Sequence, residues 1–284
     1  MSQLEREIAE IPERLTAVAP VNRVALAEAL ARYHATPPPA LFTIARGSSD
    51  AVAAYATYRL TPALNIPVGS FAPSLASLDR VRTHGGRLWT LAVSQSGQSP
   101  DLVKAQAAFT KSDGARLALV NDVTSLLAAG ADIVLDQHAG EEHSTAATKS
   151  VVCSLLAVDL LAEALSGHVD RLEARGIAVA RVVAKAMASP PDLTVLETIE
   201  SAYVIGRGAS LPMAIEAALK LKEIALLHAE AGQHRRGNAR AARHRQQEAR
   251  RARIRDPGAG WQIGRRGVTR ARGAGFADKP HFIA

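Results

Sequence analysis

The sequence predicts an α/β fold, doubly wound around a mainly parallel sheet, and three observations predict it. Short apolar runs alternate with helical segments through residues 37–166. Two of those runs, residues 41–45 and 88–94, have the length of buried parallel strands and end in glycine- and hydroxyl-rich turns that open helices. The second turn closes on Pro100, whose fixed φ suits the first turn of the helix after it.

Taken in order, residues 4–18 and 21–33 read as two amphipathic helices, and Pro37-Pro38-Pro39 separates them from the sheet. Residues 41–45, 66–69, 88–94, 116–120 and 133–135 read as strands, with helices at 51–60, 102–110 and 144–165. A helical connector at 169–188 leads to a further strand, 201–205, and a helix, 211–227. The paired strand ends Gly47-Ser48-Ser49 and Gly206-Arg207-Gly208 suggest a duplication of which the second copy is incomplete, so that its sheet is left with exposed apolar faces. The expected organisation is N-terminal helices at 1–36, a first domain at 37–166, the connector and start of a second unit at 167–231, and an arginine-rich, disordered tail at 232–284.

That tail carries the basic character of the chain. Residues 232–284 hold thirteen arginines, one lysine, three acids and no leucine, for a formal net charge of +11, against −4 for residues 1–231. Read literally, such a segment is a basic arm for nucleic acid, which salt-dependent binding lost on deleting it would support. The rest has the composition of a globular body: 48% of the whole chain is apolar and only 4% aromatic, unlike an aromatic-lined polymer groove. The single Cys153 excludes an internal disulfide framework, and its flanks Val151-Val152 and Leu155-Leu156 suit a packed helix thiol. No signal peptide and no apolar run of transmembrane length is legible, so a cytoplasmic protein without membrane contact is expected.

The chemistry concentrates in two places. In Ser94-Gln95-Ser96-Gly97-Gln98-Ser99, hydroxyls and backbone N–H groups can converge on an anion at the positive end of the following helix, with Gly97 admitting close approach. Without a lysine or metal ligand in the motif, a phosphate monoester on a small metabolite fits better than a magnesium nucleotide; the plain alternative is a polar turn that caps a helix. Gly47-Ser48-Ser49 repeats the design, and two such turns at strand ends form a pocket. Arg46 could pair with phosphate or bridge surface carboxylates. In the second place, offsets of four and three put Glu216, Lys220 and Glu223 on one helical face. Spacing alone describes an exposed Glu–Lys ladder as well as a base beside a cation.

Other candidates carry less. His138 and His143 lie five apart in a His/Glu-rich loop that reads as solvated, and no metal is expected. Glu141 and Glu142 precede a helix and favour its positive end. Neither Gly47 nor Gly206-Arg207-Gly208 completes a dinucleotide fingerprint, so no cofactor is expected.

With these motifs in view, the chain resembles the SIS (sugar isomerase) domain family, in particular the isomerase half of glucosamine-6-phosphate synthase and the stand-alone SIS-type glucosamine-6-phosphate deaminases. Gly47-Ser48-Ser49 resembles the family's first phosphosugar turn, and Ser94–Ser99 its phosphate loop, implying substrate contacts from Gly47, Ser48, Ser49, Ser94, Gln95, Ser96, Gly97 and Ser99. Ala146-Ala147-Thr148-Lys149-Ser150 resembles the element that opens the long helix of the first SIS unit, and implies sugar contacts from the Thr145 and Ala147 backbone. Glu216 to Glu223, followed by His228-Ala229-Glu230-Ala231, resembles the catalytic helix of a second SIS unit; Glu223 is then the base that moves a proton between C1 and C2, with Glu216 and Lys220 beside it. The resemblance implies a small phosphorylated sugar as ligand, a homodimer, and turnover of glucosamine 6-phosphate to fructose 6-phosphate and ammonia. A non-catalytic phosphosugar-binding module, and an aminotransferase-like isomerase domain lacking its glutaminase, are the alternatives. Ser2 stands where a glutaminase domain has its nucleophilic cysteine, which favours the deaminase or isomerase.

The resemblance ends at Ala231, where the family continues with Ser-x-Ala-Glu-Val-x-His-Gly-Pro. Back-translated with GC-rich codons and read one nucleotide later, residues 232–240 give Ala-Ser-Thr-Ala-Glu-Val-Met-Arg, and residues 277–284 again resemble the family's closing Asp-x-Pro segment. A shifted reading frame beginning near Ala231 is therefore expected; resequencing that finds one uninterrupted frame refutes it. The ring-opening histidine of His-Gly-Pro has no counterpart, and His234, though close in sequence, lies within the altered segment.

Overall fold

The computed structural model describes residues 1–83, 86–233, 261–264 and 267–270. Met1–Gly232 form one compact unit and Gln233–Ala284 another. In the second, the described residues are Gln233 and two antiparallel strands, Trp261–Gly264 and Gly267–Arg270. His234, the rest of the segment expected to be out of frame and the closing Asp-x-Pro segment lie outside the described residues, which in that segment are Gly232, Gln233 and the two strands.

The chain opens with α1 (Gln3–Ala9), capped by Ser2 and Glu5, each side chain bonding the other's backbone N–H. Next comes α2 (Ile11–Ala35), a single helix of 25 residues. The sequence suggested a break near Pro20; the break falls at Glu10, and Pro20 lies inside α2. Pro12 takes the first turn, where its missing N–H costs nothing. Through the Pro20 region, Leu15, Val18, Ala19, Asn22 and Leu26 are buried, and α2 packs on two later helices, which hold it continuous despite one lost hydrogen bond.

The sheet strands are β1 (Leu41–Ile44), β2 (Val68–Ser70), β3 (Trp89–Ser94), β4 (Arg116–Val120) and β5 (Ile133–Asp136). Their order is β2-β1-β3-β4-β5 and every pairing is parallel, which confirms the α/β class and the doubly wound arrangement. Alternation along the strands divides the core. Leu91, Val93, Leu117 and Leu119 pack toward α2 and the helices α3 (Ser48–Leu64), α7 (Lys149–Leu165) and α8 (Leu172–Met187). Ala92, Ala118 and Val120 face the other layer, formed by α4 (Pro73–Ser77), α5 (Pro100–Ala107) and α6 (Leu126–Ala129).

Several helix limits differ from the sequence reading: α3 is longer at both ends than the expected 51–60, α5 lies two to three residues before the expected 102–110, and three further limits differ. The helix expected from Ser144 begins at Lys149: the Thr148 N–H, which a helix from Ser144 would turn toward the Ser144 carbonyl, is bonded to the Glu142 carboxylate at 2.8 Å. The connector at 169–188 is a 3-10 turn, Val169–Arg171, followed by α8. The helix expected to reach Leu227 ends at Ile224, and Leu226 takes a left-handed φ of 51°.

Beyond α8, β6 (Ser201–Gly206) and β7 (His228–Gln233) form a separate two-stranded sheet beside α9 (Leu211–Ile224). The apolar side chains of Tyr203, Ile205, Ile215, Ile224 and Leu226 are exposed there. Cys153, by contrast, is fully buried in α7, and burial pushes its thiol up to about 12. A thiol-reactive probe is accordingly expected to label Cys153 only after unfolding; rapid labelling of the native protein would contradict this placement.

Candidate functional site

In the order β2-β1-β3, the chain direction of winding reverses between β1 and β3, and ligands of open α/β sheets bind at the carboxyl ends of such a pair. Both hydroxyl-rich turns lie there. Gly47, with φ at 58°, ends β1 and lets α3 begin at Ser48, with Ser49 in its first turn. The turn after β3 is built from its own residues: Ser94 Oγ accepts from Gly97 N at 3.0 Å and Ser96 Oγ from Gln98 N at 3.3 Å. Gln95 and Gly97 tie it to the neighbouring strand end, since Asn121 N donates to Gln95 O at 3.1 Å and Leu127 N to Gly97 O at 3.0 Å. Gly97 has φ of 62°, and a Cβ there would stand 2.0 Å from Ser125 Oγ, so this position requires glycine on two counts. Ser99 and Pro100 then open α5.

Arg46 joins the two turns. Its Nη2 donates to Ser99 Oγ at 3.0 Å and its Nη1 lies 3.3 Å from Asp101. Of the two readings open for Arg46, this places it between a hydroxyl of the candidate phosphate loop and a carboxylate.

The third strand end belongs to β5. Buried Gln137 spans it, donating through Nε2 to Ser94 O at 3.1 Å and Leu119 O at 3.2 Å. Residues 137–148 then form a loop that carries Thr145, exposed, and Ala147, half-buried. Glu142 terminates it at the positive end of α7: its carboxylate accepts from Thr148 N at 2.8 Å, Thr148 Oγ1 at 3.1 Å, Ser150 N at 3.3 Å and Ser150 Oγ. Glu141 does not share that role; it points to solvent and meets His143 Nε2 at 3.3 Å. His138 pairs with Asp136 instead, and among the described residues no three His, Cys, Asp or Glu side chains converge as a metal site would need.

Sequence reasoning passed over Glu7. Its carboxylate is 1% exposed and accepts from Gln3 Nε2, from His143 N at 2.7 Å and from Ser144 N. Burial raises its pKa, but the bonds from Gln3, Ser144 and His143 outweigh that and hold it at about 2. A group depressed in the folded state stabilises the fold fully above its ordinary 4.5 and loses that contribution as the pH falls toward about 2. Thermal stability is expected to decline over that interval, and Glu7→Gln should remove part of the decline. The available signal was an acid on the otherwise apolar stripe Leu4, Ile8 and Ile11.

On α9, Lys220 sits between the two acids, 3.3 Å from Glu216 Oε1 and 2.6 Å from Glu223 Oε2. Both Glu216 carboxylate oxygens are buried without a hydrogen-bond partner, whereas Glu223 is 37% exposed. An exposed ladder would leave all three side chains in water; here Glu223 is the most exposed and Lys220 and Glu216 are largely covered. Among the described residues no hydrogen bond or ion pair links this group to the turns after β1 and β3, and the connection is the packing of α9 on α3.

Residues 37–164 match the SIS domain family. A solved structure from Silicibacter pomeroyi DSS-3, described as a candidate phosphosugar isomerase, is 37% identical with a TM-score of 0.76, over 82% of this chain and 72% of its own. The chain belongs to the SIS domain family. Among curated SIS relatives, glutamine–fructose-6-phosphate aminotransferase (isomerizing) of Pyrobaculum aerophilum is 37% identical over 150 residues, which is 50% of this chain and 25% of that protein. The chain thus spans about a quarter of the length of the curated relatives it matches first. Glucosamine-6-phosphate deaminase of Thermotoga maritima shares the fold, at a TM-score of 0.61 and 18% identity over 82% of this chain and 70% of its own. No described helix is long and apolar enough to cross a membrane.

Proposed function

We propose that this SIS chain binds an aminosugar phosphate such as glucosamine 6-phosphate and acts as an isomerase and deaminase, giving fructose 6-phosphate and ammonia. The observation that carries this reading is Lys220 held between Glu216 and Glu223 on α9, with the Glu216 carboxylate buried and free of hydrogen-bond partners. In the mechanism proposed, the phosphate rests among Ser48, Ser49, Ser94, Ser96 and Ser99 and the backbone of Gly47, Gln95 and Gly97, while Thr145 and Ala147 meet the sugar. Glu223 takes the proton from C2 of the open-chain sugar and returns it to C1 while a second proton passes from the C2 amine to O1, leaving a C2 imine, and the Lys220 ammonium faces the negative charge that develops between these steps. Water then adds to the C2 imine and ammonia leaves, so that sugar phosphate and water become ketose phosphate and ammonia.

We also propose that β6, α9 and β7 begin a second SIS unit, that the chain pairs with a second copy, and that the frame changes near Ala231. The absence of a His-Gly-Pro sequence favours one alternative, a phosphosugar-binding SIS module without turnover. Incubation with glucosamine 6-phosphate, following ammonia and fructose 6-phosphate together, tests the proposal. Equal release of both supports the deaminase; saturable binding without either product supports the binding module.

A further inference from the structure

We infer that Glu7 is a positioning residue for the sugar-facing loop, and that α1 and α2 thereby govern affinity for the sugar rather than for its phosphate. The inference rests on the phosphosugar reading above. The loop is gripped from the N-terminal helices at its start, middle and end. At the start, Asn22 of α2 exchanges two bonds with the Asp136 backbone, donating to its carbonyl at 2.8 Å and accepting from its N–H at 2.7 Å. In the middle, Glu7 takes the N–H groups of His143 and Ser144, the two residues before Thr145. At the end, Lys149 is buried and its Nζ reaches Glu10 at 2.8 Å, the carboxylate that also accepts from Arg14. The Arg14 guanidinium in turn packs on Gly140, where a Cβ would stand 2.8 Å from Cζ.

Of these contacts only Glu7 touches the backbone next to Thr145. The groups it faces are all donors, so an ionised acid fits and an amide offers the wrong hydrogens to at least one of them. Glu7 contacts none of Asn121, Leu127 and Arg46, which hold the candidate phosphate loop; the two loops are joined through Gln137, which bonds Ser94 O, and through the Asn121 side chain, which bonds Ala139 N and Gly140 O, all at least three residues before His143. Loss of the Glu7 bonds therefore loosens residues 143–145 and leaves the Ser94–Ser99 turn in place.

The test titrates wild type, Glu7→Gln and Glu7→Ala with glucosamine 6-phosphate and, separately, with inorganic phosphate, and follows amide hydrogen exchange across residues 137–149. Expected for both variants are a sugar-phosphate Kd raised about tenfold, phosphate binding within about twofold of wild type, and faster exchange at His143 and Ser144 with β1, β3 and β4 still protected. The near-isosteric glutamine variant decides the matter should the alanine variant not fold. Unchanged exchange, or equal weakening of the two ligands, overturns the inference. If wild type binds no sugar phosphate, the phosphosugar reading fails and takes the affinity statement with it, while faster exchange in the variants still upholds the clamp.

Discussion

Glu223→Gln is expected to retain sugar-phosphate binding and lose turnover by about 10²–10⁴-fold, the range for removal of a general base. Glutamine keeps the size of the side chain and can still accept a bond from Lys220, whose Nζ is 2.6 Å from Glu223 Oε2. What it cannot do is carry the proton from C2 to C1. The measurement is steady-state release of fructose 6-phosphate together with binding isotherms for the same protein. A fall in kcat with an unchanged Kd assigns Glu223 the proton transfer. A variant with wild-type turnover would reduce the Glu216–Lys220–Glu223 group to an ion-pair ladder, worth about 0.3–0.5 kcal/mol per pair in stability.

The second large effect is expected at Gly97. Alanine there meets two obstacles: a left-handed φ of 62°, and a Cβ that would lie 2.0 Å from Ser125 Oγ. Gly208 provides the comparison, since its φ of 60° is nearly the same but its surroundings are open within 4 Å. Gly208→Ala should cost only the backbone strain, about 1–2 kcal/mol. Gly97→Ala should cost more, and should also displace the Ser94–Ser99 turn and weaken phosphate binding by at least about tenfold. Chemical denaturation of both variants checks the difference in stability. Combining Gly97→Ala with Ser125→Gly should recover part of the loss by clearing the collision; failure to recover would place the cost in the backbone alone.

The sequence disclosed the sheet because β1, β3, β4 and β5 are largely apolar runs bounded by glycine, proline or polar residues; β2, Val68-Gly69-Ser70, is the exception and lies partly beyond the expected 66–69. The candidate phosphate turns were legible for the same reason, since serines and a glycine after a buried strand have few structural uses. Short elements were lost: α4 and α6 are five and four residues long, too brief for a helical period to show. β7, with the sequence His228-Ala229-Glu230-Ala231-Gly232-Gln233, has no apolar alternation and was not anticipated. Residues 144–148 were read as helix because the local pattern does not reveal that the Ser144 N–H is claimed by Glu7, 137 residues away in sequence, and the Thr148 N–H by Glu142. The α9 residues lie on one face as their spacing indicated, but spacing alone could not show that the Glu216 carboxylate oxygens are buried while Glu223 meets water.

The turn after β3 stands complete before any ligand arrives. Ser94 Oγ, Ser96 Oγ and Ser99 Oγ already hold hydrogen bonds, to Gly97, Gln98 and Arg46. In all three bonds the serine oxygen accepts, so under the phosphosugar proposal each hydroxyl keeps its own hydrogen to donate to an anion, and the turn needs no rearrangement to offer it. Such a turn treats every phosphate monoester alike. Discrimination among phosphorylated metabolites then falls to whatever the rest of the molecule touches, and calorimetry should find a larger heat for the full sugar phosphate than for bare phosphate.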